Sequence, residues 1–197
     1  MDLMKLYEKL LKDYGKQDWW PVIRPFVPRE WEVCAGAILT QNTNWKNVEK
    51  ALDNMKSENL LTPESVLETP RETLERIIRP SGFYRQKAER LKTLAGFIMG
   101  FGSFNDFRKK VRRSELLGVK GIGPETADSI LLYACGRPCF VIDAYTRRLV
   151  KSLKIETKTD YESLRKFFED SLPKDPGLYR EFHALIVEWG KADRVKQ

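Results

Sequence analysis

Histidine occurs once in this 197-residue chain, at His183, and cysteine three times, at Cys34, Cys135 and Cys139. A single histidine points away from a histidine metal site. Three cysteines are too few and too unevenly spaced for a disulfide framework or a cysteine-rich metal site, so a reducing compartment is expected. No apolar run approaches the length of a membrane span, and no membrane partner is expected. The opening MDLMKLYEKLLKDYG reads as an amphipathic helix, because its charges are interspersed and it lacks the apolar core of a signal peptide. Repeats, low-complexity tracts and long linkers are absent from the sequence. Strand signals are nearly absent too: Cys139–Ile142 is the one short β-branched run, too brief for a sheet.

What is present is charge and helical periodicity. Lysine and arginine number 35 against 28 acidic residues, which leaves a net charge of +7. A surplus of this size, with a pI near 9.3, favours a polyanionic partner, nucleic acid first, because each cation placed near a phosphate releases counterions. Apolar residues recur at i, i+3, i+4 in Leu3–Leu11, Trp31–Leu39, Val48–Met55, Leu74–Ile78, Ala88–Met99, Thr126–Ala134, Tyr145–Leu153, Tyr161–Leu172 and Leu178–Trp189. Thr62-Pro63 and Thr69-Pro70 each place a hydroxyl before a proline, a helix-start signal, and Asp160 can cap the helix that follows it. The class is all-α. Pro21, Pro25 and Pro28 make 19–28 an irregular connector that carries Trp19 and Trp20.

The most informative stretch is Leu116–Leu149, LLGVKGIGPETADSILLYACGRPCFVIDAYTRRL. Gly118, Gly121 and Gly123 suit a tight turn between two helices, and Pro124 suits the first turn of the second. Ile122 can plug such a hairpin from within while the glycines face outward, so that main-chain N–H groups at a helix start meet a phosphate. Lys120 lies on the hairpin, where a phosphate contact is its simplest use. Asp143 follows the apolar Phe140-Val141-Ile142 and precedes a helix bearing Arg147, Arg148 and Lys151. The ordinary use of an aspartate there is an N-cap.

The array L-L-x-x-x-G-I-G-x-x-T-A resembles the helix–hairpin–helix of the endonuclease III superfamily of DNA glycosylases. Asp143 falls on that family's catalytic aspartate and Arg148 on the arginine that follows it. Ile38-Leu39-Thr40-Gln41-Asn42-Thr43 and Gly82-Phe83-Tyr84-Arg85-Gln86-Lys87-Ala88 resemble two further family segments, in the family's order. The resemblance implies a two-lobed helical fold with the active site in the cleft between lobes. One lobe would be residues 30–142, with the hairpin at about 116–127; the other would combine 1–29 with 143–197. It implies base excision from double-stranded DNA containing a damaged base, by a monomer bound to DNA in the cytoplasm. A fixed carboxylate at Asp143 would stabilise positive charge on the sugar and orient or deprotonate water.

Within that superfamily the chain is most similar to the 3-methyladenine DNA glycosylase III subfamily, through Trp19-Trp20-Pro21, Leu39–Trp45, Arg79–Leu91 and Lys120–Glu125. Members that also nick the strand carry a lysine two residues after the second hairpin glycine, which forms a Schiff base with the sugar. Here that residue is Glu125, so hydrolysis without a lyase step is expected. The likeness places the base between Trp19 and Trp45, with Trp20, Pro21 and Glu125 around the pocket. It also puts Gln41 in the gap left by the flipped base and Phe83 as a wedge in the opposite strand. Tryptophan faces favour cationic rings, and N-alkylated purines are cationic. Leu185 departs from the subfamily, which carries a lysine there near the pocket, and this bears on base preference. Many relatives end in a four-cysteine iron–sulfur loop; with no cysteine after Cys139, no cluster and no other cofactor are expected. Hairpin carbonyls of this family often hold a monovalent cation, and the glycines here permit one. Two alternatives stand beside this reading: a mismatch or oxidised-base glycosylase of the same fold, with or without lyase activity, and a non-catalytic DNA-binding module.

Overall fold

The computed structural model describes residues 2–18 and 24–195. Trp19, Trp20 and Pro21 lie outside them. Among the described residues there is no strand, and the architecture is all-helical. Twelve α-helices follow in order: α1 Leu3–Tyr14, α2 Arg29–Leu39, α3 Trp45–Ser57, α4 Pro63–Glu68, α5 Arg71–Ile77, α6 Tyr84–Met99, α7 Phe104–Lys110, α8 Arg113–Gly118, α9 Pro124–Ser129, α10 Ala144–Ser152, α11 Tyr161–Ser171 and α12 Pro176–Val195. A 3-10 turn, Arg79–Ser81, precedes α6, and a π-helical segment, Ile130–Ala134, continues α9. No helix among the described residues is long and apolar enough to cross a membrane.

Chain contacts divide the molecule into two units, one made of 22–135 and the other of 1–21 with 136–197. In the first unit α2 is the central helix. Val33, Cys34, Ala35, Ala37, Ile38 and Leu39 are all buried, and small side chains at 35–37 let α3, α6 and the π segment approach. The single buried carboxylate of α2, Glu32, is matched by Arg24, whose Nη1 lies 2.8 Å from Glu32 Oε1. Arg24 also reaches Asp53 Oδ1 of α3 at 2.7 Å, so one cation ties two helices together.

In the second unit α12 packs against α1 and α10. Its core is aromatic. Phe140 stacks on Phe168 with centroids 4.3 Å apart and meets Tyr179 and Phe182 edge-on. Such offset and edge arrangements suit the ring quadrupoles.

Local signals account for most helix ends. Thr62 and Ser65 form a reciprocal capping box at α4, and Asp160 accepts from Ser163 N–H at α11. Three expectations change. Thr69 closes α4, its Oγ1 donating to Ser65 O at 2.7 Å, and so does not open α5. Gly118 is the last residue of α8, so the turn begins after it. The span Thr126–Ala134 is an α-helix only to Ser129; there Cys135 N–H donates to Ile130 O, an i→i+5 bond that marks the π segment. Helix α7, seven residues capped by Ser103, is too short to show in apolar periodicity.

Candidate active site

Asp143 is delivered by an extended segment that needs no sheet. Phe140 N–H donates to Glu169 Oε1 at 3.0 Å and Ile142 N–H to Tyr161 Oη at 3.4 Å, so side chains of α11 satisfy its backbone. Phe140, Val141 and Ile142 are buried, which pins the carboxylate that follows. Asp143 is the N-cap of α10: Oδ1 accepts from Thr146 N–H at 2.7 Å and from Thr146 Oγ1 at 2.9 Å. Its other oxygen, Oδ2, stands 3.5 Å from Nε2 of His183 on α12, at the long limit for a hydrogen bond. Burial pushes the Asp143 carboxyl up. The His183 imidazole beside it, together with both donors of Thr146, more than offsets this and holds it below the usual carboxylate range. The result is a mostly buried carboxylate, fixed in orientation and kept ionised. His183, also buried, escaped functional notice because a lone histidine on an apolar helix reads as core packing.

The hairpin belongs to the other unit. Its turn closes through Val119 N–H to Leu116 O and Ile122 N–H to Val119 O, each at 3.0 Å, and Ile122 is buried as the plug. The Ile122 N–H is therefore used inside the turn. A Cβ on Gly123 would meet open space, which leaves that side accessible to a backbone. Gly121 sits at φ 87°, and a Cβ there would come within 2.6 Å of the Arg90 side chain. Gly121→Ala is therefore expected to cost about 1–2 kcal/mol of stability from backbone strain alone. It should also weaken duplex binding. Thermal denaturation and fluorescence anisotropy check both; unchanged values in each would refute the role given to this glycine.

Gln41 follows α2 in a tight turn. Its Nε2 donates to Gly121 O at 3.1 Å and to Thr126 Oγ1 at 3.0 Å, and its Oε1 accepts from Arg90 Nη1. The amide is thus held against the hairpin. Phe83 lies between Ser81 and α6 in the left-handed region, φ 46°, ψ 30°, and is 63% exposed. A large apolar side chain in a strained, exposed position is unusual, since non-glycine residues pay for that conformation.

The remaining expected residues fall as follows. Trp45 opens α3 and is half-buried; Glu125 lies in the first turn of α9 and is exposed. Lys120, 83% exposed, pairs with Glu89 Oε1 at 2.8 Å, a surface contact weak enough to exchange for a phosphate. Arg148 lies over the Tyr145 ring, 4.7 Å from its centroid, with Nη1 3.5 Å from Gly190 O. Leu185 is buried within α12. Two further groups carry the geometry without having been singled out. Lys87 is buried on α6, and Arg113 of α8 grips Asp128 of α9.

The family of the chain follows from its match to one model, described as HhH-GPD superfamily base excision DNA repair protein, over residues 35–174. This protein belongs to the HhH-GPD superfamily. It is a DNA glycosylase of base excision repair. A protein of Methanocaldococcus jannaschii, provisionally named a DNA repair glycosylase, is 47% identical over 193 residues, covering 94% of this chain and 86% of its own. Endonuclease III of Thermotoga maritima is 29% identical over 161 residues, 81% of this chain and 72% of its own. Among solved structures, the 3-methyladenine DNA glycosylase of H. pylori, bound to 1,N6-ethenoadenine, superposes with a TM-score of 0.84 at 36% identity. That match covers 97% of this chain and 96% of the other. A DNA-bound endonuclease III, trapped as a covalent intermediate, matches with a TM-score of 0.73 at 22% identity over 93% of this chain and 83% of that one. This last likeness supports the helical fold.

Proposed function

We propose that this glycosylase is monofunctional and hydrolyses the N-glycosidic bond of alkylated purines in duplex DNA, 3-methyladenine first. The observation that carries the reading is the 36% identity, across nearly the whole of both chains, to an H. pylori enzyme named for 3-methyladenine and solved with an N-modified adenine bound. Glu125 supports the monofunctional part. A carboxylate at the second residue of α9 cannot form a Schiff base with the sugar.

The steps follow from the residues. Gly121–Gly123 and Lys120 grip the backbone, Phe83 wedges into the opposite strand, and Gln41 occupies the gap. The extruded ring stacks between Trp19 and Trp45, with Trp20, Pro21 and Glu125 at the pocket wall. Ring faces hold a cationic purine better than a neutral base, which supplies discrimination before any bond breaks. As the bond to the sugar lengthens, positive charge grows on the deoxyribose. The Asp143 carboxylate, ionised and immobile, stabilises it and takes a proton from the incoming water.

Base release from duplexes carrying single methylated, ethenoated, deaminated or oxidised bases tests the reading. The expected result is release of alkylated purine, with no covalent protein–DNA adduct on borohydride reduction. Release confined to oxidised or deaminated bases would give the site an endonuclease III-like role. An adduct would restore a lyase step, and no release from any duplex would leave only DNA binding.

A further inference from the structure

Lys87 is one of the largest fully buried side chains in the protein, 1% exposed, and both recorded acceptors of its amine are main-chain carbonyls. Nζ donates to Leu39 O at 2.8 Å and to Ser81 O at 2.7 Å. These two carbonyls end the elements from which Gln41 and Phe83 emerge: Leu39 is the last residue of α2, and Ser81 the last of the 3-10 turn. Each lies two residues before the side chain in question. Lys87 also brackets Phe83 from the other side, because its own N–H donates to Phe83 O at 3.0 Å. One turn further along α6, Arg90 reaches Gln41 Oε1, and the Arg90 side chain packs against Gly121 of the hairpin.

We propose that Lys87, assisted by Arg90, is a positioning residue that holds the Gln41 turn and the Phe83 turn in one preset register for entry into the duplex.

Energetics favour this over simple core filling. Burying an ammonium is costly, and the cost is visible here: burial, with Arg90's charge added, pushes the Lys87 amine down to about 8. An apolar side chain of similar length would fill the space without that cost. It could not, however, bridge two carbonyls that lie 48 and 6 residues away along the chain. Phe83 supplies the second reason. A left-handed phenylalanine persists only where its surroundings over-determine it, and Lys87 donates on both sides of it. Entry into a DNA stack must also unstack bases, which is unfavourable. A wedge and a plug held rigidly before contact spend none of their binding energy on being ordered.

The inference rests on Gln41 and Phe83 entering the duplex, and the test separates the two. The probe is a duplex with a tetrahydrofuran abasic analogue and 2-aminopurine opposite it, whose fluorescence rises when the opposite strand is unstacked whatever the lesion preference. The full chain is compared with Lys87→Met, Arg90→Met, Phe83→Ala, Gln41→Ala and the double variant Lys87→Met/Phe83→Ala. Phe83→Ala and Gln41→Ala are each expected to lower the signal about tenfold, to a level still measurable above that of the free duplex. Lys87→Met is expected to lower it about tenfold at saturating protein, and the double variant to be no worse than Phe83→Ala alone, as coupled neighbours behave. Arg90→Met, which leaves the lysine in place, should give a smaller loss in the same direction and serves if Lys87→Met does not fold. Normal signals from Phe83→Ala and Gln41→Ala overturn the entry of these residues. Loss from those two with a normal Lys87→Met, or with a normal Arg90→Met where Lys87→Met does not fold, overturns the positioning role. So does a Lys87→Met effect that adds in full to that of Phe83→Ala.

Discussion

Replacing Asp143 by asparagine is expected to slow base excision by about 10²–10⁴-fold, the range for loss of a positioned acid–base group, while duplex binding is kept. The variant isolates chemistry from folding. Asparagine caps helices as well as aspartate does, so it can still accept from Thr146 N–H and hold the start of α10. What it lacks is the charge that the proposed mechanism sets against the sugar. Single-turnover release beside equilibrium binding gives both numbers, and near-normal release would remove Asp143 from the mechanism. The pH dependence has a definite sign. The folded carboxyl lies below its ordinary value, so the ionised form persists as pH falls, and the stability it adds at neutral pH is lost progressively as pH falls from the ordinary value through the folded one. Excision should therefore show no acid limb until below the usual carboxylate range. In His183→Leu, whose side chain neither donates nor carries charge, the burial effect is opposed by Thr146 alone, and the acid limb should move up towards neutral pH. An unmoved limb would show that His183 packs against Asp143 without tuning it.

The second large effect concerns the hairpin's foundation. Arg113 grips Asp128 with two parallel bonds, Nε to Oδ1 at 2.6 Å and Nη2 to Oδ2 at 2.9 Å. The aspartate side chain is 0% exposed and the arginine 22%. This pair joins α8 to α9 across the turn, so it sets the angle at which Gly121–Gly123 is presented. Removing the arginine takes two short bonds from a fully buried carboxylate, and breaking a buried pair costs about 3–5 kcal/mol. Arg113→Met is expected to lower stability by that amount in urea denaturation, with Arg113→Met/Asp128→Leu recovering most of it. A loss under about 1 kcal/mol would place the pair among surface-like contacts. The double variant should still bind duplex less well than the parent protein, because a restored core does not restore the clamp.

Much of this could be read along the chain. The helical class was legible because apolar residues repeat with the helical period, and helix ends because Thr62, Asp143 and Asp160 have local capping chemistry. The hairpin was legible because only glycine tolerates the conformation at Gly121. Less legible were features in which a residue serves a distant partner. Thr69 resembles a helix start as much as a helix stop, since a hydroxyl before proline suits either. The π segment after Ser129 has no signal in apolar periodicity, because all five of its residues are buried and no polar face marks a period. Lys87 and Arg90 sit in a charged run of α6 where solvent exposure is the ordinary expectation.

By itself, then, the sequence determined an all-helical chain, a glycine hairpin, an aspartate at a helix start and the family those features mark. Only the tertiary structure decided which groups hold them: His183 beside Asp143, Arg90 and the hairpin around the Gln41 amide, Lys87 between the Leu39 and Ser81 carbonyls. The physical reason is range. Caps, turns and periodicity are set by neighbours within a helical turn or two, whereas Lys87 meets Leu39 across 48 positions and Gln41 meets Gly121 across 80. Contacts at that separation exist only once the core has closed.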